Sequence, residues 1–190
     1  MQKFYADAFF SGTTKIMGLE LKPLTLGHAL VLSAIESPYI TAIKPPNFGD
    51  FVALVWICSR DWTESRDALV ADTFKVDCAK WLNTQANLDE STADVKALTD
   101  YLETYLQVAP RYESRIKNGE VVGACTKPVR VPWPLAAAWT LMGKMTEEQA
   151  WTTPVARAFA YLAAESMYDD TLMTEEPEEE TADGNSGNQD

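Results

Sequence analysis

Residues 91–109, STADVKALTDYLETYLQVA, decide the fold class. Val95, Leu98, Leu102, Tyr105, Leu106 and Ala109 recur at the 3.6-residue period of a helix, while Lys96, Asp100, Glu103 and Gln107 fall on the opposite side. Ser91 or Thr92 supplies a side-chain oxygen for the free amides of the first turn. Pro110 ends the helix, because proline removes an amide donor and clashes with the preceding turn. A helix with one apolar stripe must bury it against other elements, and the rest of the chain offers mostly helical signals.

Upstream, the segment from Glu64 to Ala86 reads as one or two helices, with Leu69, Phe74, Cys78, Trp81 and Leu82 facing inward. Phe51 to Cys58 is apolar at every position and therefore buried. Periodicity does not separate a central strand from a helix there, and the lack of regular strand neighbours favours a helix capped by Asp50. Lys44-Pro45-Pro46-Asn47 is a loop. Leu26 to Glu36 is a first helix, opened by Thr25 and stopped before Pro38, whose ring disfavours helical geometry in its predecessor. Lys15 to Pro23 alternates loosely, as a short extended arm or hairpin, behind an aromatic start at Phe4, Tyr5, Phe9 and Phe10.

Downstream, residues 111–131 hold Gly119, Gly123 and Pro128 without a sustained period and read as a long loop or short hairpin. Pro134 opens a helix from Leu135 to Lys144, since proline is tolerated where an amide has no intrahelical partner. Thr146-Glu147-Glu148-Gln149 has the pattern of a capping box, followed by a short turn through Trp151. Thr153-Pro154 starts a last helix to about Tyr168, with Val155, Ala158, Phe159 and Leu162 on one face. Arg157, Tyr161, Ala164 and Tyr168 form a second, weakly charged stripe, and a helix apolar on more than one side needs covering on more than one side. Residues 174–190 are rich in Glu, Gly, Asn and Ser without aromatics and are expected to stay disordered. The expected architecture is mainly α: a single-domain helical bundle over residues 1–173, with an extended N-terminal arm and a disordered acidic tail over 174–190.

The chain has 190 residues and a net charge of −12, of which the tail supplies seven acids and no base. The remaining 21 acids against 16 bases leave the body only mildly acidic. Phosphate backbones are bound through clustered Lys and Arg, so nucleic acid is not expected as a partner. Arg111, Arg115, Lys117, Lys127 and Arg130 make one locally basic segment, read as a solvated loop. Cys58, Cys78 and Cys125 are an odd number at wide spacing, which suggests reduced thiols in a cytosol. No apolar run approaches membrane-spanning length, so no membrane association is expected.

His28 is the only histidine, and it lies among leucines without a positioned acid–base partner, so it reads as a packed or partly exposed helix residue. Paired CxxC cysteines, phosphate-cradling glycine loops and the nucleophile-elbow pattern are absent from the sequence. No catalytic, metal or cofactor residue is therefore assigned, and a non-enzymatic binding protein is expected. Trp56, Trp81 and Trp139 sit within apolar runs and read as core. Trp133 and Trp151 flank the closing helices and read as partner contacts, together with Arg157, Tyr161, Ala164 and Tyr168.

Two stretches carry a resemblance. Leu21-Lys22-Pro23-Leu24-Thr25-Leu26-Gly27-His28, running into a leucine-rich helix that ends at Ser37-Pro38, is one. Pro132-Trp133-Pro134, then Glu148-x-x-Trp151-x-x-Pro154, then Ala156 to Glu165 and an acidic end, is the other. Together they cover about a third of the chain, and the chain resembles the tail assembly chaperone-like proteins of tailed bacteriophages and prophages. The resemblance implies a helical protein of the host cytoplasm, absent from the mature virion. It would bind the tape-measure protein, keep its apolar helices soluble and help recruit the major tail-tube protein, with homo-oligomerisation left open. The rival expectations are a structural connector or tail completion protein of the virion and an inhibitor of a host protein.

Overall fold

Thr25 opens the first helix, α1 (Leu26–Ala34), as its position before an apolar run predicts. Its side chain accepts from the His28 backbone amide, and the His28 ring caps the Thr25 amide in return, a capping box closed by histidine instead of the usual Glu or Gln. Six of the nine residues of α1 are buried, and the helix packs against all but two of the described helices, which makes it the hub of the core. The computed structural model describes residues 13–42, 44–84, 92–106 and 132–172, apart from the side chains of Thr92 and residues 166–172.

Ahead of the hub lies an antiparallel hairpin, β1 (Thr14–Ile16) and β2 (Leu19–Leu21), pairing Thr14 with Leu21 and Ile16 with Leu19. Its two-residue turn needs left-handed backbone at both positions, Met17 at φ 49° and Gly18 at φ 76°. Beyond the hub, α2 (Pro38–Thr41) is a single turn and α3 (Phe48–Cys58) is the buried apolar run, resolved as a helix. Its cap is Asn47, and the expected cap, Asp50, sits at the third helical position and returns the second bond of the box at 3.0 Å. The helix therefore starts a turn earlier than the apolar run suggests.

The Glu64–Ala86 segment forms two helices, α4 (Trp62–Val70) and α5 (Phe74–Thr84). The periodic stretch that decides the fold class is α6 (Thr92–Leu106), and it buries Leu98, Tyr101 and Tyr105. Val95 departs from its expected inward place at 47% exposure, because it faces an open cleft. The carboxyl third holds α7 (Trp133–Met142), α8 (Glu147–Thr152) and α9 (Val155–Leu172). Thr146 and Gln149 form the expected capping box, and the turn foreseen at Trp151 is a full six-residue helix. The architecture is mainly α, with this one small hairpin among the described residues.

Segments remote in sequence are tied through the strap from Lys22 to Thr25. The Lys22 amide donates to the Cys58 carbonyl at 2.8 Å, and its own carbonyl accepts from the Tyr101 hydroxyl at 2.7 Å. Leu26 donates to the Thr153 carbonyl at 3.0 Å and Val155 to the Leu24 carbonyl at 2.8 Å, so α1 and α9 begin back to back on one antiparallel bridge. Leu24, Leu26, Leu32, Leu54, Ile57 and Val155 are fully enclosed around this junction. Each such side chain contributes roughly 1.5–3 kcal/mol by leaving water. The loop expected over 111–131, with Cys125, lies outside the described residues, as do the aromatic start, the helix end at Gln107 to Pro110, the Ser91 cap and the acidic tail.

Candidate partner-binding surface

The surface is built on α7, a helix without a charged residue from Trp133 to Met142. Pro134 lies in its first turn, where the missing amide costs no intrahelical bond. Pro134, Ala137, Ala138 and Leu141 form its buried face against α1, α8 and α9. The two alanines let the helix backbone lie close to its neighbours, since a methyl group occupies little of the space between them. The opposite face carries Leu135 and Trp139, one turn apart, at 36% and 76% exposure. Ala136 and Thr140 beside them are exposed as well. The result is an uncharged, outward stripe centred on an indole ring.

Trp139 was expected in the core with Trp56 and Trp81, and the structure corrects this for Trp139 alone. Trp56 is buried, with Phe74 edge-on at 5.3 Å and the Arg60 guanidinium 3.7 Å over its ring, and Trp81 is partly buried against the core. Trp139 turns out because α7 already fills its inner face with small residues and Leu141. An helix apolar all round gives no sign in its own sequence of which side meets the protein.

The reverse correction applies to Trp151. It was expected at the surface and is 7% exposed, packed against Trp62 at a centroid distance of 5.8 Å. Its indole N–H reaches the Glu147 carboxylate at 3.3 Å, which lets the ring be buried without stranding its one donor. Trp62 in turn lies against α1 at Gly27, where even a Cβ would overlap its ring carbons. Gly27 leaves the room that draws Trp62, and with it Trp151, inward. Trp133 is partly buried beside Phe159 at 5.5 Å. Of the two tryptophans expected as partner contacts, Trp151 is therefore buried and Trp133 partly buried.

Arg157 and Tyr161 are brought together. They line a shallow depression of about 340 Å³ with Met145, Gln149, Thr152, Thr153 and Pro154. Tyr161 is 43% exposed, Ala164 is exposed and Arg157 is partly buried. Tyr168 lies on α9, and its side chain is outside the described residues. Lys144, just past α7, pairs with Glu165 of α9 at 2.7 Å. With Trp133 beside Phe159 at the other end, this sets α7 and α9 running in the same sense.

The groups with chemical potential are held inside. His28 is 2% exposed and bonded through both ring nitrogens. Its Nε2–H donates to the Arg60 carbonyl at 2.9 Å, because a carbonyl can only accept, which leaves Nδ1 to accept from the Thr25 amide and hydroxyl. Burial holds its pKa below the ordinary value, opposed by the bond to Arg60 and modulated by Lys22 and Asp61. The Cys58 and Cys78 thiols are pushed up to about 12 by burial, which keeps them protonated and poor nucleophiles at neutral pH. Among the described residues no cluster of His, Cys, Asp or Glu could hold a metal ion, and no helix is long and apolar enough to cross a membrane.

No family model, no curated protein and no solved structure matches this chain.

Proposed function

We propose that this protein is a non-enzymatic tail assembly chaperone of a tailed phage, which holds apolar helical segments of the tape-measure protein in solution while tail-tube subunits are recruited. The observation that carries the reading is Trp139, a tryptophan 76% exposed on an uncharged helix face with Leu135 one turn away. Exposing so much indole to water has a cost that binding another apolar surface removes. Tryptophan in the middle of a patch is also the residue type that most often dominates binding energy. A tape-measure chain offers long amphipathic helices, and an apolar helix face takes such a segment by laying stripe against stripe. The resemblance in the Leu21–His28 and Pro132–Glu165 stretches supports the same reading, and the net charge of −12 keeps a loaded complex from self-associating.

The test is co-expression with the phage's tape-measure protein. The expected outcome is a soluble complex that co-purifies with wild-type protein and is lost on Trp139→Glu, with the helical circular dichroism of the variant unchanged. A tape-measure protein that stays insoluble beside the wild-type chain sinks the reading. So does mass spectrometry that finds this chain at stoichiometric copy number in purified virions.

A further inference from the structure

The depression of about 340 Å³ at the start of α9 has a charge character opposite to that of the chain. Among the described residues that line it, Arg157 is the one charged group, in a protein of net charge −12. Arg157 is the third residue of α9, whose first turn holds no acid. The amide end of a helix carries a partial positive charge, so a guanidinium there gains from a charge of opposite sign placed beside it. Acids close in sequence do not line the depression, and two of them are engaged elsewhere. Glu147 accepts the Trp151 indole N–H at 3.3 Å, and Glu165 pairs with Lys144 at 2.7 Å.

The uncharged walls narrow the chemistry. Gln149 uses its Oε1 to accept from the Thr146 amide at 3.0 Å, so what its side chain has to offer a ligand is its N–H groups. The Thr152 and Thr153 hydroxyls donate to the Glu148 and Gln149 carbonyls at 2.8 and 2.7 Å. A cation would find no carboxylate here to hold it. An anion finds the five N–H donors of a planar fork, more than any single partner uses, with an amide donor across from it. Met145 and Tyr161 add apolar surface for the carbon stem behind the charge. The Met145 amide donates to the Leu141 carbonyl at 3.0 Å, so the depression begins where α7 ends.

We propose that this depression is a carboxylate-binding site, with Arg157 as its anchor and Gln149 as its second donor. The identity of the occupant rests on the partner-binding reading of α7: it is an acidic side chain of the segment whose apolar stripe lies on Trp139. A charge-assisted, directional bond to Arg157 fixes the register of an apolar contact that would otherwise slide.

Glutarate is the probe for the site alone. In proton–nitrogen correlation spectra of the full-length protein at constant ionic strength, it is expected to shift the Arg157 Nε–H and the Gln149 side-chain amide saturably, whereas neutral glutaramide does not. Arg157→Gln should abolish the response and Arg157→Lys should keep part of it, both with unchanged helical circular dichroism. Shifts that do not saturate, or that glutaramide reproduces, overturn the site. The source of the carboxylate is read by co-expression with the tape-measure protein, where Arg157→Glu is expected to lower the yield of soluble complex about tenfold. An undiminished complex overturns the partner's side chain as occupant and leaves a site for free carboxylates. The glutarate readout does not involve the tape-measure protein, so the site can stand where the chaperone function fails, and the reverse.

Discussion

Trp139 and Trp151 lie twelve residues apart in neighbouring helices, the first in an uncharged apolar run and the second behind Glu147, Glu148 and Gln149, and end in opposite environments, at 76% and 7% exposure. Local hydropathy points the wrong way, since the ring in the uncharged helix is the exposed one. What separates them is the opposing surface: Trp151 meets Trp62, which meets a bare glycine on α1, whereas no described element stands over the outer face of α7. A large ring is buried when another part of the chain has given up volume for it, and is left outside when its helix has already filled its inner face with small residues.

The largest expected effect breaks the buried side of this contrast. Trp151→Ala removes a ring from between α8 and α4 and should cost about 3–5 kcal/mol, read as a lower urea midpoint at unchanged slope. A loss below about 1 kcal/mol would show that the site collapses freely and that Trp151 is no more fixed than Trp139. Gly27→Ala comes next. Its new methyl would overlap two Trp62 ring atoms and must displace a ring packed against Trp151. Overpacking of this kind costs about 1–3 kcal/mol. Trp62→Leu in the Gly27→Ala background should recover part of it, and simple additivity of the two changes would argue against the contact of Trp62 with Gly27.

Much of the helical framework is legible in the chain because its signals are local. Thr25 and the Thr146–Gln149 box announce helix starts, the stripe through Leu98, Leu102 and Tyr105 announces an inward face though it omits the buried Tyr101, and Pro134 announces α7. The all-apolar α3 could be placed in the core but not begun at the right residue, because Asn47 caps it from within a proline loop. What was not legible was pairing between distant segments. The bridge from Leu24 to Val155 and the bond from Tyr101 to Lys22 join segments far apart in the chain, and nothing in either segment names its partner. The candidate surface suffered most. Its α9 part, Arg157, Tyr161 and Ala164, was visible from spacing, but which of two tryptophans faced out depended on Gly27, over a hundred residues away.

His28 sharpens the buried side through pH. Its folded pKa lies below the ordinary 6.5, chiefly through burial, so the unfolded chain binds a proton that the folded one does not. The contribution to stability is whole above pH 6.5 and is lost as pH falls below it, with a slope of at most about 1.4 kcal/mol per pH unit. Protonation would set an Nδ1–H against the Thr25 amide, two donors facing each other at the start of the hub helix. With one histidine in the chain, the control is direct. His28→Gln keeps an acceptor for the Thr25 amide, and urea titrations of that variant should be flat between pH 5.5 and 7.5 where the wild type is not. An equal slope in both proteins would assign it to other groups.

The smallest expected effect on stability is at Trp139, and its smallness is what gives it weight. Trp139→Ala removes more apolar surface than most core substitutions, yet the ring is mostly solvated, so the folded state should change by no more than about 0.5 kcal/mol. The same substitution should strip the protein of its anchor for an apolar helix, where losing a central tryptophan typically costs more than 2 kcal/mol of binding. The ratio of the two losses therefore distinguishes a surface kept for a partner from a core residue that the fold happens to display. If Trp139→Ala lowers the urea midpoint as much as Trp151→Ala does, the two rings are equivalent after all, and the outer face of α7 is covered in solution by the protein itself.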